Sequence, residues 1–267
     1  VDRNHAIGLL DSGVGGLTVV REIFSYLPGE RIVYFGDTAR MPYGPRPHKE
    51  VRSFVRQIIR FLDTQDVKLI IIACNSATAA GLPYYQAELD LPVLGVIEPG
   101  VRAALRHTKT KRIGVIGTTG TIASGAYEQS IRRLAPDVKV FSRACPLFVL
   151  LVENGLIDTP ETVRVAEEYL HPMREDGVDA LILGCTHYPL MSHVLEKVMG
   201  PDVKLISSAE ETARDAKASL FNLGMNRLEE KQVARHRFFV SGSPGTFDKI
   251  GTTLLCQPVE AYQVFLP

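Results

Sequence analysis

The sequence predicts an α/β protein built from two similar α/β domains with largely parallel sheets, related by a pseudo-twofold and with an active site in the cleft between them. Three observations predict it. Short apolar runs alternate with amphipathic stretches along the 267 residues, the pattern of strands separated by helices. Several runs are apolar throughout rather than at every second position, as in parallel strands covered on both faces. The pattern also recurs: "VKLIIIACNS" (67–76) and "VDALILGCTH" (178–187) superimpose with Cys74 on Cys185, an offset of 111 residues (185 minus 74).

Taken in order, strands are expected at 6–11, 31–37, 68–74, 92–97, 112–117, 138–143, 180–185, 203–208 and 237–241. A helix is expected in "HKEVRSFVRQIIRFLDTQ", where Val51, Phe54, Val55, Ile58, Ile59 and Phe61 or Leu62 recur near the 3.6-residue period. Another begins at "TPETVRVAEEYL", with Thr159 as cap and Pro160 in the first helical position, or with Asp158 as cap and Glu161 three residues on. "IGLLDSGVGG" (from 7) and "IGVIGTTGTI" (from 113) are both strands running into Gly-rich turns. "PVLGVIEPGV" (92–101) and "VKLISSAEET" (203–212) hold similar places after the two cysteine strands. A duplicated unit follows. Residues 1–98 with 209–267 form the expected first domain and 99–208 the second.

Lys plus Arg and Asp plus Glu number 30 each, so the formal net charge is zero, which gives no footprint for a nucleic-acid partner. No apolar run approaches the ~18 residues of a membrane span, and "VDRNHAIGLL" lacks the parts of a secretory signal. Four cysteines without close pairing do not make a disulfide scaffold. A cytoplasmic protein with reduced thiols is expected.

Ligands of doubly wound sheets sit beyond the carboxyl ends of the strands. Cys74, Cys185, Asp11, Ser12 and Thr118 to Thr121 all fall at such ends. Structural zinc needs close Cys or His pairs, and none occurs here, so no metal is expected. A Cys-x-x-Cys redox pair is absent, as is the arginine of a phosphatase loop. Cys145 and Cys256 read as small hydrophobes. Cys74 and Cys185 each end an apolar run and precede hydrogen-bonding residues, Asn75 and Ser76 or Thr186 and His187. Packing and thiol chemistry both fit them, and a helix N-terminus after each favours chemistry. "DSGVGG" (11–16) matches neither G-x-x-x-x-G-K-[ST] nor G-x-G-x-x-G. It reads as a tight turn, a nest of N–H groups for a small anion, or both. Asp11 is a helix cap or a catalytic group. His187 is a structural histidine or a proton shuttle beside Cys185. "MPYGPRP" (41–47) is a rigid loop, or a segment offering backbone donors and a phenol to a ligand.

Two equivalent thiols across a cleft suit a two-base racemisation. One thiolate removes the α-proton of an amino acid, and the opposite thiol protonates the other face. Thiols serve because their pKa lies nearer neutrality than that of lysine or tyrosine.

The chain closely resembles the cofactor-independent glutamate racemases of bacterial cell-wall synthesis. The resemblance rests on "GLLDSGVGGLTV" (8–19), "MPYG" (41–44), "ACNSATA" (73–79), "IGVIGTTGTI" (113–122), "LVENG" (151–155) and "GCTHYPL" (184–190). Ser76 stands where threonine is common, and the hydroxyl is kept. The resemblance implies an isomerase that interconverts L- and D-glutamate without pyridoxal phosphate or metal. Its D-glutamate supplies peptidoglycan, and so cell shape. The catalytic pair carries over to Cys74 and Cys185. Asp11 and His187 assist the thiols, with Glu153 as a further helper; Asp11 is expected on the Cys74 side and His187 on the Cys185 side. Substrate contacts carry over to Asp11, Ser12, Pro42, Tyr43, Gly44, Asn75, Ser76, Thr118, Thr121, Thr186 and His187. The resemblance also implies a homodimer that uses neither nucleic acid nor membrane. Activator control through an N-terminal extension is not expected, because the chain starts just before its first strand. The rival readings are an aspartate racemase or related isomerase, and a non-catalytic amino-acid-binding protein.

Overall fold

The structure, a computed structural model, describes residues 2–227 and 235–267. Each expected strand forms: β1 (Ala6–Asp11), β2 (Ile32–Gly36), β3 (Val67–Ile72), β4 (Val93–Gly95), β5 (Arg112–Gly117), β6 (Lys139–Ala144), β7 (Ala180–Gly184), β8 (Lys204–Ile206) and β9 (Arg237–Val240). β3 and β7 stop short of the cysteines, which lie just past the strands instead of inside them. A tenth strand, β10 (Ala261–Gln263), was not anticipated. It is a three-residue edge strand with Tyr262 and Gln263 exposed, so it carries almost no apolar pattern.

Two sheets form, ordered β10-β9-β2-β1-β3-β4 and β6-β5-β7-β8, and every pairing is parallel. The order β2-β1-β3-β4 in the first repeats as β6-β5-β7-β8 in the second, so β1 corresponds to β5 and β3 to β7. This is the duplication read from the cysteines. β1, β3 and β7 are buried along their whole length, which explains why their runs are apolar but for Asp11 and Lys68.

Eleven α-helices separate the strands: α1 (Leu17–Tyr26), α2 (His48–Asp63), α3 (Asn75–Glu88), α4 (Ile97–His107), α5 (Thr119–Ala123), α6 (Ala126–Leu134), α7 (Pro146–Glu153), α8 (Pro160–Glu175), α9 (Ser192–Met199), α10 (Ala209–Asn222) and α11 (Pro244–Leu255), counted among the described residues. α2 buries Val51, Val55, Ile58, Ile59 and Leu62. Leu62 is therefore the inward choice, while Phe61 sits half-buried between Phe35 and Phe239. α8 starts with the Thr159 cap, whose Oγ1 accepts the Thr162 N–H at 3.2 Å; Asp158 pairs with His193 at the surface instead. The small face of α10 (Ala209, Ala213, Ala216) and Leu220 packs into one core with Ile7 and Leu9 of β1.

Lys68, inside β3, is fully buried. It pairs with buried Glu30 at 2.6 Å and donates to the carbonyls of Arg3 (2.6 Å) and Met225 (2.8 Å). Among the described residues no helix is long and apolar enough to cross a membrane.

Candidate active site

Asp11 is the last residue of β1, and its side chain shapes the turn that follows. Its Oδ2 accepts the N–H groups of Gly13 (3.0 Å) and Gly16 (3.1 Å). The nest expected to bind an anion is thus filled, at these two amides, by the protein's own carboxylate. Tyr34 of β2 donates to the Gly13 carbonyl at 2.8 Å and fixes the turn from below. Cys74 leaves β3 in an extended conformation and stands at the N-cap of α3. Its thiol points to Ser12 Oγ at 3.8 Å.

The second half departs from this plan. Cys185 does not open an α-helix: residues 185–187 form a turn, Tyr188–Met191 a 3-10 segment, and α9 begins only at Ser192. Pro189, which has no N–H to give, lies in the 3-10 segment. The delay leaves His187 beside the thiol, with Nδ1 3.9 Å from Cys185 Sγ. Its Nε2 bonds Glu153 at the end of α7. Thr118 caps α5, accepting the Thr121 N–H at 3.3 Å.

The two halves meet at these ends. Ser76 Oγ lies 2.9 Å from Thr118 Oγ1 and 3.2 Å from Thr121 Oγ1. Tyr127 of α6 donates to Asn75 Oδ1 at 2.6 Å, and Thr186 donates to Asp11 Oδ1 at 3.3 Å. Gly120 N–H donates to the Gly44 carbonyl at 2.8 Å. Gly15 must be glycine for this approach: a Cβ there would sit 2.5 Å from Thr186 Oγ1.

One cavity results, lined by Ser12, Pro42, Tyr43, Gly44, Cys74, Asn75, Ser76, Thr118, Cys185, Thr186 and His187. Asp11, Thr121 and Glu153 stand behind it and reach it through Thr186, through Ser76 and Thr118, and through His187. Every residue expected at the site from the sequence is therefore in the lining or bonded to it; Cys145 is buried elsewhere, and Cys256, read as a small hydrophobe, is instead exposed past α11. The space is about 20 Å³, room for about one water. An amino acid is several times larger, so the walls must part to admit one.

A family model described as Asp/Glu/hydantoin racemase matches residues 7–216. The chain belongs to this family. It is 48% identical over 263 residues to the glutamate racemase of Streptococcus gordonii, covering 98% of this chain and 99% of the relative. The crystal structure of a Bacillus anthracis glutamate racemase superposes with a TM-score of 0.94 at 45% identity, over 99% of each chain. That of the Francisella tularensis enzyme in complex with D-glutamate gives 0.91 at 36% identity, over 99% of this chain and 98% of that one.

The electrostatics of this racemase-family site are asymmetric. Burial, then the neighbouring Asp11 charge, push the Cys74 thiol up, against the pull of the Ala77 backbone and the Ser12 hydroxyl. Burial also raises Asp11, opposed by His187, the two glycine amides and Thr186. Asp11 thus acts on Cys74 through its field, with its own hydrogen bonds directed elsewhere. Burial opposes charge on His187, but hydrogen bonds to Cys185 and Glu153 outweigh it and bring its pKa to about 10. No lysine or arginine lines the cavity among the described residues, so carboxylates there meet hydroxyls and amides.

The Tyr43 phenol, expected as a ligand donor, is given to Asp37. Asp37 is a fully buried hub that also takes Arg40 Nε (2.8 Å) and Ser241 Oγ (2.7 Å), and it anchors the 41–44 loop with its cis Met41–Pro42 peptide. The reading of the sequence missed Asp37, although a carboxylate one residue past β2 was a usable signal. It also missed Val149, and it noted Met41 only as part of the 41–47 segment; both line the cavity. Val149 is a plain apolar residue with no signal of its own.

Proposed function

We propose that this chain interconverts L- and D-glutamate by a two-thiol, cofactor-independent mechanism and supplies D-glutamate for peptidoglycan. The observation that carries the reading is that Cys74 and Cys185 follow the equivalent strands β3 and β7 of the two sheets and both line one cavity. The relatives bearing the name glutamate racemase along essentially the whole chain support the choice of substrate.

In one direction a Cys185 thiolate takes the α-proton: the Cα–H bond breaks, an S–H bond forms, and the electron pair stays on the substrate as a carbanion spread into the carboxylate. The Cys74 thiol then gives its proton to the opposite face and is left as thiolate. Its raised pKa suits a group that must arrive protonated. The reverse direction exchanges the roles. Donors in the cavity carry the stabilisation of the carbanion: the Asn75 amide and the hydroxyls of Ser12 and Ser76, while Thr118 and Thr186 give their own protons to Thr121 and Asp11. His187, held by Glu153, assists Cys185, and Asp11 biases Cys74. Among the described residues no lysine lines the cavity.

The same reading places the protein in the cytoplasm as a homodimer. It divides the chain into 1–98 with 209–267 and 99–208, a division supported by β9, β10 and α10 joining the first sheet and its core.

Metal-free protein incubated with L-glutamate and L-aspartate in heavy water tests the proposal. Loss of optical rotation with one α-deuteron gained per turnover is expected for glutamate. Exchange of aspartate alone points to an aspartate racemase. Binding without exchange points to a binding protein.

A further inference from the structure

Asn75 is 2% exposed and lines the cavity. Its two polar atoms differ in state. Oδ1 accepts from the Tyr127 hydroxyl at 2.6 Å, whereas Nδ2 is buried without a partner. An uncompensated buried amide N–H costs stability, and such groups mark places where a ligand completes the bonding.

Tyr127 is 1% exposed, and among the described residues its hydroxyl makes no hydrogen bond other than that to Asn75. Burial, then Cys185, raise its pKa, so the phenol keeps its proton and acts as a donor. Were the amide flipped, the phenol oxygen would have to accept and its hydrogen would find no acceptor among the described residues, so one of the amide's two orientations is favoured. If the amide turned over, its N–H₂ would meet the phenol and its oxygen would face the cavity, where it would repel a carboxylate.

We propose that Tyr127 is a positioning residue for the reaction: it locks the Asn75 amide with Nδ2 toward the substrate carboxylate. The lock forms across the cleft. Asn75 opens α3, after the first-sheet strand β3, and Tyr127 lies on α6, between second-sheet strands β5 and β6. Parting the walls releases the amide, and bringing them together sets it. The donor is therefore oriented while the cavity is closed. This inference rests on the reading of the cavity as an amino-acid racemase site.

The test is a double-mutant cycle with Tyr127→Phe, Asn75→Ala and both together, each checked by thermal unfolding. As the carbanion forms, charge grows on the carboxylate, so the donor matters most in the transition state. Tyr127→Phe should lower kcat by about tenfold with a smaller change in KM. The double variant should match Asn75→Ala within about twofold, because Tyr127 acts through Asn75. Multiplied losses in the double variant, or unchanged kcat in folded Tyr127→Phe, overturn the proposal.

A second readout does not depend on turnover. With 15N-asparagine labelling, the Asn75 side-chain amide is identified by its disappearance in Asn75→Ala. Its relaxation should report a rigid group in the wild type and a mobile one in Tyr127→Phe; equal rigidity in both overturns the lock. Failure of the wild type to racemise any amino acid removes the functional reading, and the relaxation measurement then decides the positioning by itself.

Discussion

The Cys185 sulfur and the His187 ring meet at 3.9 Å between Sγ and Nδ1, and on its far side the same ring bonds Glu153. Among the described residues no such pair exists at Cys74, whose thiol points to the Ser12 hydroxyl. The duplicated frame is symmetric, and its proton-handling groups are not.

The first prediction concerns pH. His187 keeps its proton up to about 10, because its bonds to Cys185 and Glu153 outweigh the opposing effect of burial. The charged ring is therefore present at neutral pH and is lost as pH rises through that value. Glu153→Gln removes one supporting charge, so the pKa falls toward the ordinary value. The alkaline limb of the kcat/KM profile should move to lower pH by about one unit or more. An alkaline limb that stays in place detaches Glu153 from the chemistry.

Direction is the second. His187→Asn should slow one reaction direction more in kcat than in KM, as for a group acting mainly in the transition state. Asp11→Asn should weight the opposite direction. The enantiomers are equal in energy, so the two kcat/KM values stay matched and KM adjusts. Equal kcat losses in both directions for both variants would sink the assignment of separate helpers.

Removing either thiol is the third. Cys74→Ser or Cys185→Ser should each lower racemisation by about 10³-fold or more, because an alcohol is a far weaker acid and base near neutral pH. Cys256→Ser, at an exposed residue past α11, should leave the rate unchanged. Full activity in either cavity variant, followed by polarimetry, removes the two-thiol mechanism.

Stability supplies the fourth. Lys68 and Glu30 form a buried pair, and burial is the main force lowering the lysine's pKa. Lys68→Met leaves Glu30 as a buried charge without its partner and should cost about 3–5 kcal/mol in urea unfolding. A loss below about 1 kcal/mol would mean that the glutamate simply takes up a proton.

The fifth uses the close approach at Gly15. Gly15→Ala puts a methyl group 2.5 Å from Thr186 Oγ1 and 2.9 Å from its carbonyl carbon. The walls must shift apart there. Stability should fall by about 1–3 kcal/mol, and kcat/KM should fall by about tenfold or more because cavity closure is impaired. Wild-type kinetics in this variant would show that the contact between the walls is not needed for turnover.

The sequence by itself determined the strands that carry the site. β1, β3, β5 and β7 are apolar along most of their length because both faces are covered, with Asp11, Lys68 and Arg112 as the exceptions, and that burial is written into neighbouring residues. Asp11 ends its strand, and the cysteines and Thr118 lie just past theirs, so their common location came from chain order and the parallel-sheet rule alone. The Thr159 cap and the inward face of α2 are equally local, set by turn chemistry and by the 3.6-residue period.

Only the tertiary structure decided what joins distant segments. Lys68 looks like the exposed start of a strand until Glu30 and two carbonyls enclose it. The Tyr43 phenol looks free until Asp37 takes it. The bond from Tyr127 to Asn75 spans 52 residues, and that from Thr186 to Asp11 spans 175. Hydrogen bonds at such separations depend on how the two sheets approach each other. Local periodicity fixes which face of an element is buried, but not which polar atom on another element it will meet.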